Sequence, residues 1–271
     1  MLLNKYKIVS NISNGEFGVV LKVAYNDKFY ALKYGPKDLI KYEIQIYKQL
    51  RSVANISTLH EVFEHNNNLC MVLDLYAMNL VDYKVKCYNS ENYFERTINI
   101  IKELLIIIKS LHENNIIHRD LKPTNVCLDN NYKLYLIDFG ISKIYKHNNI
   151  HNKETQIKSV IGSINFSSLN ILNLIEPSRR DDIEALLFIL FYLLINNTNY
   201  VSYDKLNAYE KKNIASLLIF LQDNTNSILN NKTINYSLIE KLFNYVRRLK
   251  YDQAPKYEYI TTLINESFVT N

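Results

Sequence analysis

His118-Arg119-Asp120-Leu121-Lys122-Pro123-Thr124-Asn125, followed by Asp138-Phe139-Gly140, constrains this chain more than any other feature. It sets out a carboxylate, an ammonium, a carboxamide and a second carboxylate in the order that phosphoryl transfer from a nucleoside triphosphate requires. The transferred group is anionic and its transition state is loose, so catalysis is mostly positioning plus charge neutralisation. In that chemistry Asp120 orients an incoming hydroxyl and accepts its proton, and Lys122 lies against the γ-phosphate. Asn125 and Asp138 hold magnesium. Alone, Asp-Phe-Gly is an ordinary turn and His-Arg-Asp an ordinary polar loop. Their order and company carry the reading, which requires these distant groups to fold into one cleft shaped around a triphosphate.

Upstream, Ile12-Ser13-Asn14-Gly15-Glu16-Phe17-Gly18-Val19-Val20 separates two strand-like runs. Backbone amides approach phosphates only where side chains do not intervene, which is the use of Gly15 and Gly18. As a motif it is weak, because Ser13 stands where a first glycine is expected. Ala31-Leu32-Lys33 strengthens it. Lys33 on the inner face of the next strand reaches the α- and β-phosphates if a carboxylate holds it, and Glu43 on the following helix is placed to do so. Val20 and Ala31 then line an adenine pocket with Leu73 at its back, and the backbone of Asp74-Leu75-Tyr76 supplies its hydrogen bonds.

The pattern around these motifs is α+β. Tyr6 to Ile12, Val19 to Tyr25 and Lys28 to Tyr34 read as strands. Asp38 is placed to cap a helix running to about Arg51 with Ile40, Ile44, Tyr47 and Leu50 on one face. Leu59 to Phe63 and Leu69 to Leu73 read as a strand pair. Beyond a boundary expected near Leu75 to Asn79, helix dominates: Tyr93 to Glu113 is apolar on one face. Two short strands, Val126 to Leu128 and Lys133 to Ile137, follow the Asp120 loop. Helices are expected over Arg180 to Ile195, Ser237 to Leu249 and Tyr257 to Ile264.

Composition excludes little but sets bounds. With 48% apolar residues, 271 residues bury a substantial core. The 32 basic and 27 acidic residues leave a net charge of +5, too small to argue for nucleic-acid binding and compatible with acidic or phosphorylated substrates. Cys70, Cys87 and Cys127 have no metal-ligand spacing and no disulfide framework, which fits a reducing compartment. Met1-Leu2-Leu3 runs directly into polar residues, so no signal peptide is read. The apolar run Ile183 to Ile195 contains Glu184 and is too short for a membrane span.

These motifs resemble eukaryotic protein kinases over essentially the whole chain. Lys122 after Arg119-Asp120-Leu121 is similar to the Ser/Thr branch. Glu176-Pro177-Ser178-Arg179-Arg180-Asp181-Asp182-Ile183-Glu184 resembles a signature of the casein kinase I group, as do Ser168-Leu169-Asn170, Tyr42-Glu43 with Ile46-Tyr47-Lys48, and Arg247 to Asp252. The resemblance implies a bilobal fold, with a small antiparallel-sheet N-lobe (about 1–75) carrying one main helix, a hinge (about 74–79) and a larger, mostly helical C-lobe (about 80–271). It implies ATP and Mg2+ as cofactors and protein Ser/Thr hydroxyls as acceptors. A monomer inside the cell, cytoplasmic or nuclear, is expected, without nucleic-acid or membrane partners. Asp182 would brace the catalytic loop through its backbone, and Ile183 to Ile195 would be the buried central helix.

By the same resemblance Arg119, Lys143 and Lys158 would converge on a phosphate. A second anion site of the group needs an Arg where Asn165 stands in Gly162-Ser163-Ile164-Asn165, leaving Lys211 and Lys212 as remaining charge. A weaker preference for pre-phosphorylated substrates follows, because asparagine cannot replace a guanidinium fork. Asn196-Asn197-Thr198-Asn199-Tyr200 replaces the group's usual sequence after the central helix. The chain ends at Asn271 without an inhibitory extension, from which activity without release of a block is expected. Two other functions compete. Ser13 and the scarcity of glycine favour a pseudokinase acting as a nucleotide-binding or scaffolding module. A small-molecule kinase of the aminoglycoside or choline type shares the catalytic loop, but Lys122-Pro123 and the Arg179 to Asp182 cluster speak against it.

Overall fold

The computed structural model describes residues 2–15, 18–195, 213–225 and 232–270. They form two compact units, one of Met1–Ala77 with Cys127–Ser142, the other of Met78–Val126 with Lys143–Asn271.

The first unit is built on an antiparallel sheet of β1 (Leu2–Leu3), β2 (Tyr6–Gly15), β3 (Gly18–Tyr25), β4 (Lys28–Pro36), β5 (Leu59–His65) and β6 (Asn68–Asp74), in the order β1-β2-β3-β4-β6-β5. Two hairpins turn on residue pairs with positive φ, Asn26 (48°) with Asp27 (57°) and Asn66 (46°) with Asn67 (63°). Such a turn matches strand twist, and Asn and Asp are the non-glycine residues that enter the left-handed region most readily. Register sorts the side chains into two faces. Leu21, Val23, Leu32, Cys70 and Val72 build a core with Leu3 and Tyr6. Val20 opposite Lys33, Lys33 opposite Met71 and Ala31 opposite Leu73 fall on the other face.

Helix α1 (Lys37–Gln49) buries Ile40, Glu43, Ile44, Ile46 and Tyr47. Its N-terminal boundary differs from expectation. Pro36 occupies the cap position and makes no side-chain cap, while Asp38 lies inside the first turn, where its charge favours the helix dipole. The segment 127–142 joins this unit through backbone pairing: Leu136 N–H donates to Asn55 C=O (2.9 Å), and Leu136 C=O accepts from Ser57 N–H (3.3 Å). Its short strands Val126–Leu128 and Leu134–Leu136 pair with each other.

The second unit is mostly helix: α2 (Leu80–Cys87), α3 (Tyr93–Glu113), α4 (Leu169–Leu172), α5 (Arg179–Leu194), α6 (Ile214–Thr225), α7 (Tyr236–Arg247) and α8 (Tyr257–Ser267). α5 is buried on every side from Arg180 to Leu194 and packs against α3, α6 and α7; a helix apolar all round is one that others are assembled on. Strand pairs Ile116–Ile117 with Lys143–Ile144, Lys146–His147 with Ile150–His151, and Lys232–Ile234 with Phe268–Thr270 belong to the same unit. None of the three cysteines is in a disulfide. No helix among the described residues is long and apolar enough to cross a membrane.

Three helices escape the periodicity argument: α2, α6 and the four-residue α4. In α2, Val81-Asp82-Tyr83-Lys84-Val85-Lys86 alternates like a strand, yet Asn79 accepts from the Val81 and Asp82 amides and Asp82 from the Asn79 amide, a capping box that fixes a helix start. α6 lies in a continuous apolar run whose period is not diagnostic. Lys84 is fully buried, donating to the Tyr192 carbonyl (2.6 Å) at the end of α5, with its ammonium 4.3 Å from the Tyr192 ring centre. It thus binds a carbonyl that the helix end leaves without an intrahelical donor.

Burial pushes the Lys84 ammonium down from 10.5 to about 7. Between those values the unfolded chain carries more protons than the folded one, so stability rises with pH through that window. In urea unfolding of the whole chain, the wild type should gain about 2 kcal/mol from pH 7 to 9 through this group, and Lys84→Met should lack that gain.

Candidate active site

Within the first unit, three charges meet. Lys33 on β4 places Nζ 2.7 Å from Glu43 Oε2 on α1 and 2.7 Å from Asp138 Oδ1. Lys33 and Glu43 are almost wholly buried, whereas the Asp138 side chain is 37% exposed and so remains accessible to a ligand. Burial works against the Lys33 ammonium, but Glu43 and Asp138 more than offset it and raise its pKa. For Glu43, burial dominates: its pKa rises from 4.5 to about 7 although Lys33 and the Phe139 amide draw it down.

Asp138 holds an unusual backbone, φ 65°, which for a residue other than glycine costs about 1–3 kcal/mol and persists only where its surroundings enforce it. Tyr47 is part of that enforcement. Its hydroxyl accepts the Asp138 N–H (3.3 Å), and its ring stands edge-on to Phe139 with centroids 5.1 Å apart. Tyr42 Oη donates to the Ser142 carbonyl (3.0 Å) and fastens the far end of the segment. Glu43, Tyr47 and Tyr42 all come from α1, so one helix sets both the lysine and the Asp-Phe-Gly turn.

The sheet places the other nucleotide candidates. Gly15 pairs with Gly18 across the turn, of which Glu16 and Phe17 lie outside the described residues. Gly18 has φ 132°, and a Cβ there would meet the Tyr34 carbonyl at 2.5 Å, so no other residue fits without moving β4. Ile12 on β2 is 48% exposed. Val20, Ala31, Lys33 and Leu73 share a face, as register dictates, and Asp74 ends β6 before Leu75. Asp74 is itself pinned, accepting from the Thr58 amide (2.9 Å) and lying 2.7 Å from His60 Nε2.

Within the second unit, a loop gathers around Asp120. Asp120 Oδ1 accepts from both the amide and the hydroxyl of Ser163 (2.9 Å each). Lys122 Nζ lies 2.8 Å from Asp120 Oδ2 and donates to Ser163 Oγ (3.0 Å). Asn125 Nδ2 donates to the Asp120 carbonyl (2.9 Å) and to Oδ2 (3.3 Å). Asn125 thus spends its side-chain nitrogen on Asp120. In the sequence Ser163 is marked only by its place after Gly162. Gly162 has φ 78°, and a Cβ would strike the Arg119 carbonyl at 2.5 Å, so glycine alone lets Ser163 approach.

Asp182, at the start of α5, supports this loop from below. Its Oδ2 accepts the His118 amide (2.8 Å) and its Oδ1 the Arg119 amide (3.0 Å), holding Arg119 at φ 69°. Burial alone would raise the Asp182 pKa, but His112 and the His118 amide hold it below the usual range. Burial keeps His112 neutral, so Nε2–H donates to Asp182 (3.0 Å) and Nδ1 accepts from Tyr257 Oη (2.6 Å). Its neighbours are equally committed. Asp181 accepts from Ser168 Oγ (2.6 Å) and Asn170 Nδ2 (2.9 Å), and Glu184 pairs with Arg247 at 2.8 Å. Arg180, Asp181, Asp182 and Glu184 are all buried, so the cluster is a brace and not a solvated ion-pair face.

The expected convergence of three cations takes a different form. Glu176 Oε1 lies 3.3 Å from Arg119 Nη1 and 2.9 Å from Lys143 Nζ. Lys158 is exposed and makes no ion pair with this carboxylate. Asn165 is half-buried in the 3-10 turn Ile164–Phe166. Lys211, Lys212 and the Asn196–Tyr200 run lie outside the described residues.

Oxygens of the hard-donor class that magnesium takes are carried by Asp138 in the first unit and by Asn125 in the second. The sequence matches the protein kinase domain over residues 6–260. It is 30% identical to a probable casein kinase I homolog of Encephalitozoon cuniculi, the match covering 98% of this chain and 86% of that protein. It is 26% identical to casein kinase I homolog 2 of Schizosaccharomyces pombe, over 98% of this chain and 63% of the relative. The chain therefore belongs to the protein kinase family, of the casein kinase I type. Its antiparallel-sheet unit and helical unit are the two parts of the kinase fold.

Because the folded protein holds the Glu43 proton more tightly than the unfolded chain, this group's contribution to stability is complete below pH 4.5 and lost as pH rises through about 7. Urea unfolding at pH 5 and pH 8 should show Glu43→Gln losing less stability than wild type over that interval; equal losses in both would remove the assignment.

Proposed function

We propose that the protein is an active Ser/Thr protein kinase that transfers the γ-phosphoryl group of ATP to protein hydroxyls. The observation that carries the reading is the completeness of the ionic set. Lys33 is locked to Glu43 and Asp138, and Asp120 is locked to Lys122, Asn125 and Ser163. A scaffold that had lost the chemistry would be under no physical need to keep three carboxylates paired with two ammonium groups in these two clusters.

Bound magnesium would neutralise charge developing on the phosphates, with Asp138 and Asn125 as its protein ligands. Lys33 holds the α- and β-phosphates, and its own position is set by Glu43. Asp120 orients the acceptor hydroxyl and takes its proton, while Lys122 screens the γ-phosphate. Gly15 and Gly18 keep side chains away from the phosphates. Ile12, Val20, Ala31 and Leu73 contact the adenine, and the backbone at Asp74 and Leu75 recognises its edge. An anion arriving at Arg119, Lys143 and Lys158 competes with Glu176 for the first two. Asn165 offers no guanidinium, so pre-phosphorylated acceptors gain little.

Asp120→Asn should lower the rate of radiolabel transfer from ATP to casein by about 10² to 10⁴, while thermal shift with Mg-ATP remains. Equal transfer by the variant would end the assigned role, and wild-type binding without transfer would favour a pseudokinase scaffold.

On peptide arrays, phosphate upstream of the acceptor should change the rate by less than about tenfold, the loss expected when a charge-assisted bidentate contact is missing; strong dependence on that phosphate would overturn this.

A further inference from the structure

Asp138 is gripped at its side chain and at its backbone by two different residues. Lys33 holds its carboxylate, at 2.7 Å. Tyr47 holds its backbone, the buried phenol oxygen accepting the Asp138 N–H at 3.3 Å. Glu43, which holds Lys33, and Tyr47 are one helical turn apart on α1, so one helix face sets the first grip through Lys33 and makes the second directly. The ring of Tyr47 is already accounted for by its edge-on packing against Phe139, a contact that phenylalanine would make equally well. What phenylalanine could not do is accept a hydrogen bond from a peptide group held at φ 65°.

We infer that the Tyr47 hydroxyl is a positioning group for Asp138: it fixes the left-handed peptide of the Asp-Phe-Gly turn so that the Asp138 carboxylate is presented to magnesium. This rests on the reading of Asp138 as a metal ligand. Lys33 holds only the side chain, and Glu43 meets only the next amide, that of Phe139, so neither of them fixes the peptide that carries the Asp138 N–H. Removing one hydrogen bond of this kind shifts an equilibrium by about three- to tenfold.

The test is Tyr47→Phe in the full chain, with near-ultraviolet circular dichroism and thermal midpoint verifying that the ring still packs. Amide exchange of the segment Ile137 to Gly140, measured without nucleotide, should accelerate about three- to tenfold while strands β3 and β4 are unchanged. In transfer assays at saturating ATP, half-saturating magnesium should rise by a similar factor, with a smaller change in kcat. Unchanged exchange overturns the grip whatever the activity. Faster exchange with an unaltered magnesium requirement overturns the positioning role. Faster exchange in a protein whose wild type transfers no phosphate supports the grip and sinks the kinase reading instead.

Discussion

A carboxylate taken out of water must be met by donors or opposite charge, and both units of this protein are organised around that requirement. Glu43 is buried on α1 because Lys33 comes to it from the sheet, and Asp182 is buried at the start of α5 because backbone amides and a neutral histidine come to it. Asp181 and Glu184 repeat the solution with Ser168, Asn170 and Arg247. The pairings of Asp182 with His112 and of Glu184 with Arg247 link elements far apart in sequence, whereas those of Glu43 and Asp181 tie neighbouring elements together. Removing one partner strands the other without solvent, so these links act as registration pins more than as sources of net stability.

The pins are placed where the backbone is under strain. Arg119 and Asp138 both adopt the left-handed region, at φ 69° and 65°, although neither is glycine. Each carries a neighbour or side chain that the chemistry uses, and each is held from outside its own loop. Asp182 holds the first through two amides; Lys33 and Tyr47 hold the second. Glycine appears at a different kind of place, Gly18 and Gly162, where backbone approaches backbone and a Cβ would collide at 2.5 Å.

Much of the fold was legible. The strand runs, the amphipathic α3 and the all-apolar α5 each announce themselves by period or composition, and the register that brings Val20, Lys33 and Met71 together follows from alternation. α2 was hidden because its charges fall at alternate positions, and Lys84 among them is buried only because α5 ends beside it. Asp38 looked like a cap, but Pro36 sets the boundary, since a proline that closes a strand is already pre-set for the first turn of a helix. The site candidates were readable by residue type and order. Ser163 was not, because a serine declares nothing until its hydroxyl meets a carboxylate.

The sequence by itself determined which groups this protein has for handling phosphate: Lys33, Glu43, Asp120, Lys122, Asn125 and Asp138 are fixed by identity and order, and no conformation can supply a carboxylate the chain lacks. Only the tertiary structure decided which of them touch. It gave Arg119 and Lys143 to Glu176 and left Lys158 outside that pairing, it put a tyrosine hydroxyl on the Asp138 peptide, and it joined residues 127–142 to the sheet unit. The reason is range: propensity and periodicity act over a few residues, whereas a buried charge selects its partner by who is within about 4 Å after the chain has folded.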